Sequence, residues 1–420
     1  MTDMKSVEDF RQQAREWLSE NMERVTVTGR TMRGLDHITA ESVVPERALQ
    51  RKLYEAGYAG IAIPAEYGGQ GLTPAHESAF LTEANGYRMP AFGVLGGTTF
   101  GVCLNTMLVH GTPEFLARHV PPILAGDRLV VQFFSEPGAG SDLAGVTTRA
   151  DRDGDNWVLN GSKIWSSGAY YADWGMCLAR TDWDQPKHRG LTWFAVPCDA
   201  KGLTIEEIKE ISGDSEFCQE FFDDVMIGDE DRIGDVNEGW RVSQTLLVFE
   251  RGADRPAGEF GPITPEALAP DLVALAERLG RTGDTEVRQL IAEAHTNDFA
   301  QKQLAERIAQ LLEKDAGNAG VAAYGKLASG TFEPQRAKIG MKVGRSASLS
   351  WDPGDREAME TSMNYLNGRV LSIAGGTNEV QRNGIAERVL GLPREPAFDL
   401  HRPFREVARE AGGEWKPPTT

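Results

Sequence analysis

The sequence predicts a mainly α protein with a central β domain, its elements ordered as helices, then strands, then helices. Three observations predict this. Apolar residues recur at helical spacing through residues 1–126. β-Branched and aromatic runs, separated by turn residues, fill 127–236. Helical spacing returns from Gly239. A chain of 420 residues has room for two or three packed regions, because domains usually run to ~100–200 residues.

In the N-terminal region, Val7, Phe10, Ala14, Trp17 and Leu18 share one helix face. Leu49–Ala56 reads as a helix that ends at Gly57, a glycine C-cap. The run IAIPAEYGGQGL breaks regularity, and helical spacing resumes over Ser78–Tyr87 and Val102–His110. Pro121-Pro122 interrupts before Leu124 and sets a boundary near residue 126. Strands are expected at Leu129–Phe134, Thr147–Ala150, Trp157–Asn160 and Trp174–Ala179, and again at Leu191–Pro197, Leu203–Ile208 and Glu220–Ile227. DRDGD (Asp151–Asp155) and NGSK (Asn160–Lys163) are turn signals between them. Short strands at this spacing predict a small antiparallel barrel or sandwich of about 110 residues. In the third region, 237–397, helices are expected around Trp240–Val248, Thr285–Glu313, Arg356–Ser372 and Asn378–Leu390, with an irregular stretch at Gly340–Asp355. Residues 398–420 read as a polar tail, a surface arm or a disordered end.

Apolar residues make up 40% and charged residues 25%, an ordinary globular balance. The net charge of −18 opposes phosphate backbones and anionic membranes, so nucleic acid is not an expected partner. Cys103, Cys177, Cys198 and Cys218 have no C-x-x-C spacing and read as reduced thiols, with no metal site expected. The start, MTDMKSVEDF, is polar and acidic, unlike a targeting peptide. No apolar run approaches the ~20 residues of a membrane helix. A soluble, cytoplasmic bacterial protein is expected. No G-x-S-x-G elbow, P-loop or H-E-x-x-H is present, so hydrolase and kinase chemistry lack support.

Four segments could carry chemistry. SEPGAGSD (Ser135–Asp142) packs two glycines beside two serines after a strand; such a loop lets a flat ligand approach the backbone, and a plain surface turn would look the same. NGSKIWSSGAYYAD (Asn160–Asp173) sets Trp165 after a turn, either as core or as an aromatic wall with Ser166 or Ser167 on a ring edge. AGGTNEVQRN (Ala374–Asn383) leads into a helix start with Thr377 or Asn378 as N-cap and Gln381 placed for a capping box; its free N–H groups would favour an anion. LLVFERGADRP (Leu246–Pro256) puts Glu250 after an apolar run, where desolvation could raise a carboxyl towards the range of a general base.

In this order the segments resemble the acyl-CoA dehydrogenase family, over about Val7 to Glu395. The resemblance is strongest in QFFSEPGAGSDLAGVTTRADRDGDNWVLNGSKIWSS and SIAGGTNEVQRNGIAERVLGLP. It implies an N-terminal helical domain, a central β domain and a C-terminal four-helix bundle, with FAD between the last two. It implies that Phe134, Ser135, Gly140 and Ser141 line the flavin ring, that Trp165 covers it and that Ser167 bonds it. Thr377 and Glu379 would meet the phosphate and ribose side, and Ser141 and Arg251 would face the CoA thioester. The reaction implied is α,β-dehydrogenation, with the thioester carbonyl held by the Gly375 N–H. Many members carry the catalytic Glu at the position held here by Gly375; members resembling isovaleryl-CoA dehydrogenase place it on an earlier helix before an Arg, as in Glu250-Arg251. Glu250 is therefore the expected base. The expected electron acceptor is an electron-transfer flavoprotein, and the expected assembly is a homodimer, a homotetramer or a heterotetramer. The alternatives are an acyl-CoA oxidase using O₂ and a non-catalytic subunit of a heteromeric enzyme. One departure stands out: no R-x-x-F-G segment is found, and Arg278, Arg281 and Arg288 are unmatched to it.

Overall fold

The computed structural model describes residues 5–25, 38–250, 269–314, 319–349, 356–397 and 399–412. Its N-terminal helices are α1 (Val7–Asn21), α2 (Val44–Glu55) and α3 (Pro74–Ala84). In α1 the Ser6 hydroxyl caps the Asp9 N–H at 3.1 Å, and Phe10, Ala14 and Leu18 bury one stripe. Then α4 (Gly93–Gly96), a π-helical segment (Gly97–Cys103) and α5 (Leu104–His110) run on as one rod. The next helix, α6 (Pro113–Leu124), carries the two prolines that were expected to interrupt it. They sit in its final turns, where Val120, Ile123 and Leu124 are buried, and that packing keeps the helix going to Leu124.

Eight strands among the described residues form one sheet: β1 (Val130–Phe133), β2 (Arg149–Asp153), β3 (Asn156–Ser167), β4 (Trp174–Arg180), β5 (Leu191–Pro197), β6 (Leu203–Glu207), β7 (Phe217–Gly228) and β8 (Arg232–Ile233). Its order is β6-β7-β3-β2-β4-β5-β8, with β1 on β4. This departs from a small antiparallel barrel in two ways. Among the described residues no ladder joins the end strands β6 and β8, so the sheet does not close. It is also mixed, since β1 and β2 each pair with β4 in parallel. DRDGD makes its turn, with Asp153 opposite Asn156. NGSK makes none: β3 runs straight through it and absorbs the irregularity as a register shift between Leu159 and Gly161.

The C-terminal helices are α7 (Gly239–Glu250), α8 (Pro270–Arg278), α9 (Thr285–Lys314), α10 (Ala322–Gly344), α11 (Arg356–Asn367), α12 (Asn378–Gly384) and α13 (Phe404–Gly412). α10 is central, packing on α8, α9, α11 and α12. Its glycines and internal Pro334 hide its periodicity in the sequence, but one glycine explains the packing. A Cβ on Gly330 would stand 2.2 Å from Asn378 Oδ1 and 2.8 Å from Leu371 O, so only glycine lets that segment press onto α10. The expected helix Arg356–Ser372 stops at Asn367 and turns again at Val370–Ser372.

The core joins helices to sheet through Leu104, Met107, Phe115, Met176, Trp193 and Leu246. Trp193 Nε1 of β5 donates to Gly239 O and Ser243 Oγ, both at 3.0 Å, which fixes α7 against the sheet. Part of the expected polar tail docks. Phe404 is buried with its ring centroid 3.6 Å from the guanidinium carbon of Arg180, and Lys187 bridges Asp399 at 2.7 Å and Asp142 at 3.1 Å. Arg180 in turn donates to Val146 O at 3.1 Å and Ala144 O at 2.6 Å. Among the described residues no helix is long and apolar enough to cross a membrane.

Candidate active site

A cleft of about 3350 Å³ lies where the N-terminal helices, the sheet and the C-terminal helices meet. Phe134, Ser135, Gly140 and Ser141 line it from the loop after β1. Trp165 and Ser167 line it from β3, and Glu250, Gly375 and Thr377 from the C-terminal helices. Glu379 is not brought there: its side chain is 77% exposed and faces Arg382 at 3.6 Å. Arg251 lies outside the described residues.

The loop after β1 is held by a buried carboxylate that the sequence reading missed. Glu136 accepts from Thr147 N at 2.7 Å, Thr147 Oγ1 at 2.9 Å, Thr148 N at 2.9 Å and Lys163 Nζ at 2.8 Å. Lys163 also donates to Phe134 O at 3.2 Å. Burial alone would raise the Glu136 carboxyl, but the Lys163 ammonium and the threonine donors outweigh it and hold the group below its ordinary value. The pair closes the loop so that Gly140 and Ser141 face the cleft. Phe134 stacks on Trp193 with centroids 5.4 Å apart.

Trp165 owes its position to a second register shift, between Ile164 and Ser166. The bulge gives it φ 71° and turns its ring into the cleft, where it is 55% exposed. Ser166 turns inward and donates to Glu220 Oε2 at 3.0 Å. Of the two serines weighed for a ring-edge bond, Ser167 is therefore the one whose hydroxyl is not engaged with Glu220. Burial pushes the Glu220 carboxyl up to about 8, and its Oε1 has no hydrogen-bond partner among the described residues.

Gly375 and Gly376 take φ 65° and 90°, the left-handed region that glycine favours. Thr377 is the N-cap of α12, accepting from Val380 N at 3.2 Å. Gln381 makes no capping box; it donates to Gly375 O at 3.0 Å and Gly376 O at 3.3 Å, tying the glycine pair down. α12 spans only seven residues. Glu250 is the last residue of α7 and is exposed on the cleft wall, so the described residues do not supply the desolvation expected from the apolar run before it. A Cβ placed on Gly375 would lie 3.5 Å from Glu250 Oε1, so carboxylate and glycine adjoin.

An exposed indole, several small hydroxyls and a carboxylate facing one cleft between a sheet and a helical domain suit a flat ligand with a polar edge, as a flavoprotein oxidoreductase requires. The comparisons agree with that class. Residues 5–127 match the acyl-CoA dehydrogenase N-terminal domain, 132–225 the middle domain and 237–390 the C-terminal domain. The chain belongs to the acyl-CoA dehydrogenase family. It is 36% identical over 395 residues to the acyl-CoA dehydrogenase IpdE1 of Mycobacterium tuberculosis, covering 93% of this chain and 99% of that one. A solved steroid ACAD, Tcur3481-Tcur3483, superposes with a TM-score of 0.70 at 27% identity, covering 94% of this chain and all of its own. The ChsE4-ChsE5 complex of M. tuberculosis superposes with a TM-score of 0.68 at 25% identity, over 94% of this chain and 100% of that chain.

Proposed function

We propose that the chain removes two hydrogens from an acyl-CoA thioester to give the trans-2-enoyl-CoA, with Glu250 as the base that takes the α-proton. The observation that carries this reading is the adjacency of Glu250 and Gly375 across the cleft. It sets a carboxylate beside the backbone group that would hold the thioester carbonyl. The cleft fits FAD. A bulge-driven, exposed indole offers a flat face, and Ser135, Ser141, Ser167 and Thr377 offer hydroxyls for a polar ring edge and chain. Phe134, Gly140 and Trp165 would complete the wall. When bound, FAD supplies the hydride acceptor at N5.

The rest of the chemistry belongs to the chain. The Gly375 N–H donates to the thioester oxygen and stabilises the negative charge that grows there as the α-proton leaves. Glu250 holds that proton on its carboxylate. In this reading Ser141 faces the thioester. The electron acceptor in this reading is an electron-transfer flavoprotein. The working assembly is an oligomer of this chain or of this chain with a related subunit, in keeping with exposed Ile373, Leu390 and Leu392 on the C-terminal domain.

The test is Glu250→Gln, followed anaerobically with a panel of acyl-CoAs. The variant should stay yellow yet bleach on the order of 10²–10⁴-fold more slowly than wild type, the range for losing a general base. Bleaching at the wild-type rate sinks the assignment. Peroxide released in air by the wild type would replace the dehydrogenase with an oxidase.

A further inference from the structure

Lys326 lies on α10, one turn before Gly330, on the cleft wall. Nothing in its sequence context marks it, and the reading of the site did not use it. Two observations converge on it. First, a Cβ built on Gly375 would stand 3.1 Å from Lys326 Cε and 3.5 Å from Glu250 Oε1. The lysine arm and the carboxylate therefore both border the Gly375 position. Second, Lys326 Nζ donates to Leu371 O, in the turn that leads into the glycine pair. The close packing at Gly330 brings that turn within its reach.

We propose that Lys326 is the positioning residue of the base site: its ammonium keeps Glu250 ionised, and its bond to Leu371 O fixes the loop that presents Gly375. The proposal rests on the reading of Glu250 as base. Physically, the two roles come from one group. An adjoining ammonium favours the ionised form of a carboxylate. The same ammonium donates to the Leu371 carbonyl in the turn before the glycine pair. Among the described residues, Lys326 of α10 and Cys103 of the π-helical segment are titratable groups that face Glu250; burial raises the Cys103 thiol, which stays neutral. The loop at Gly375 and Gly376 contributes backbone only. A residue bulkier than glycine at 375 would push towards Lys326 and Glu250.

The experiment uses the full chain with its flavin, in wild-type, Lys326→Gln and Lys326→Arg forms. Glu250 is labelled with a water-soluble carbodiimide and glycinamide across a pH series, and labelling is read by peptide mass spectrometry. This chemistry marks the protonated carboxyl and needs no substrate. Loss of an adjoining opposite charge should move the labelling midpoint up by about 1–3 pH units in Lys326→Gln, and Lys326→Arg should restore it. Hydrogen exchange over residues 370–377 should speed several-fold in Lys326→Gln and return in Lys326→Arg. Thermal melting and flavin absorbance check that each variant folds. A midpoint that stays put, or exchange that does not change, overturns the proposal. A moved midpoint alongside a Glu250→Gln enzyme that still bleaches overturns the base assignment instead, so the two failures are distinguishable.

Discussion

Glu220 gives the sharpest quantitative expectation. It is fully buried on β7, opposite Lys163 of β3, bonded once to Ser166 with its second oxygen unpartnered. Burial raises its carboxyl from 4.5 to about 8, against the smaller opposing pull of Ser166 and Lys163. The folded state therefore holds a proton that the unfolded chain releases, and stability falls as pH rises between those two values. The stabilisation is complete below about pH 4.5 and lost as pH rises through about 8. At ~1.4 kcal/mol per unit the full window amounts to about 5 kcal/mol. An unfolding entropy of about 2.1 cal/mol/K per residue turns that into roughly 5–6 °C of Tm for a chain of this length. Glu220→Gln removes the titration and keeps the shape. The assay is calorimetric Tm for both proteins from pH 4.5 to 9. Other ionisations cancel in the difference, so Tm of the variant minus Tm of wild type should climb with pH by that amount and flatten above about 8. Parallel curves would refute the burial argument. Because Ser166 neighbours Trp165, the wild-type flavin spectrum should shift as pH rises through about 8 and the variant's should not.

Two further expectations follow from the same wall. Lys163→Met strands Glu136 as a buried charge and should lower stability by about 3–5 kcal/mol, while Lys163→Met with Glu136→Gln should recover most of it, as denaturant titration will show. Gly375→Ala forces a side chain into a backbone at φ 65° and against Lys326 and Glu250. Strain of about 1–3 kcal/mol should appear as a lower kcat with flavin content unchanged, measured by stopped-flow bleaching.

The order of domains was legible because helix and strand periods differ and glycine-proline punctuation is local. The cleft-lining loops were legible because glycines and small hydroxyls cluster in few places. What the sequence hid was long-range. The parallel pairing of β1 with β4 joins segments about forty residues apart and leaves no local trace. Lys163 and Glu220 are charged letters in strand stretches and Glu136 one in a loop, where polar normally means outward-facing; only the fold shows that they are buried together. NGSK has turn chemistry but lies between two strands already committed to pairing, so tertiary contacts overrode it. α10 lacks an apolar stripe because it is packed on several sides by small residues, which also hid Lys326. Glu379 sits beside the Thr377 cap, yet a helix turn points it to solvent.

The docked tail links two distant parts of the chain. Phe404 covers Arg180, Arg180 holds the carbonyls of Ala144 and Val146, and Lys187 ties Asp399 to Asp142, the neighbour of Ser141. Undocking of Asp399 and Phe404 and opening of the serine-glycine loop are therefore coupled.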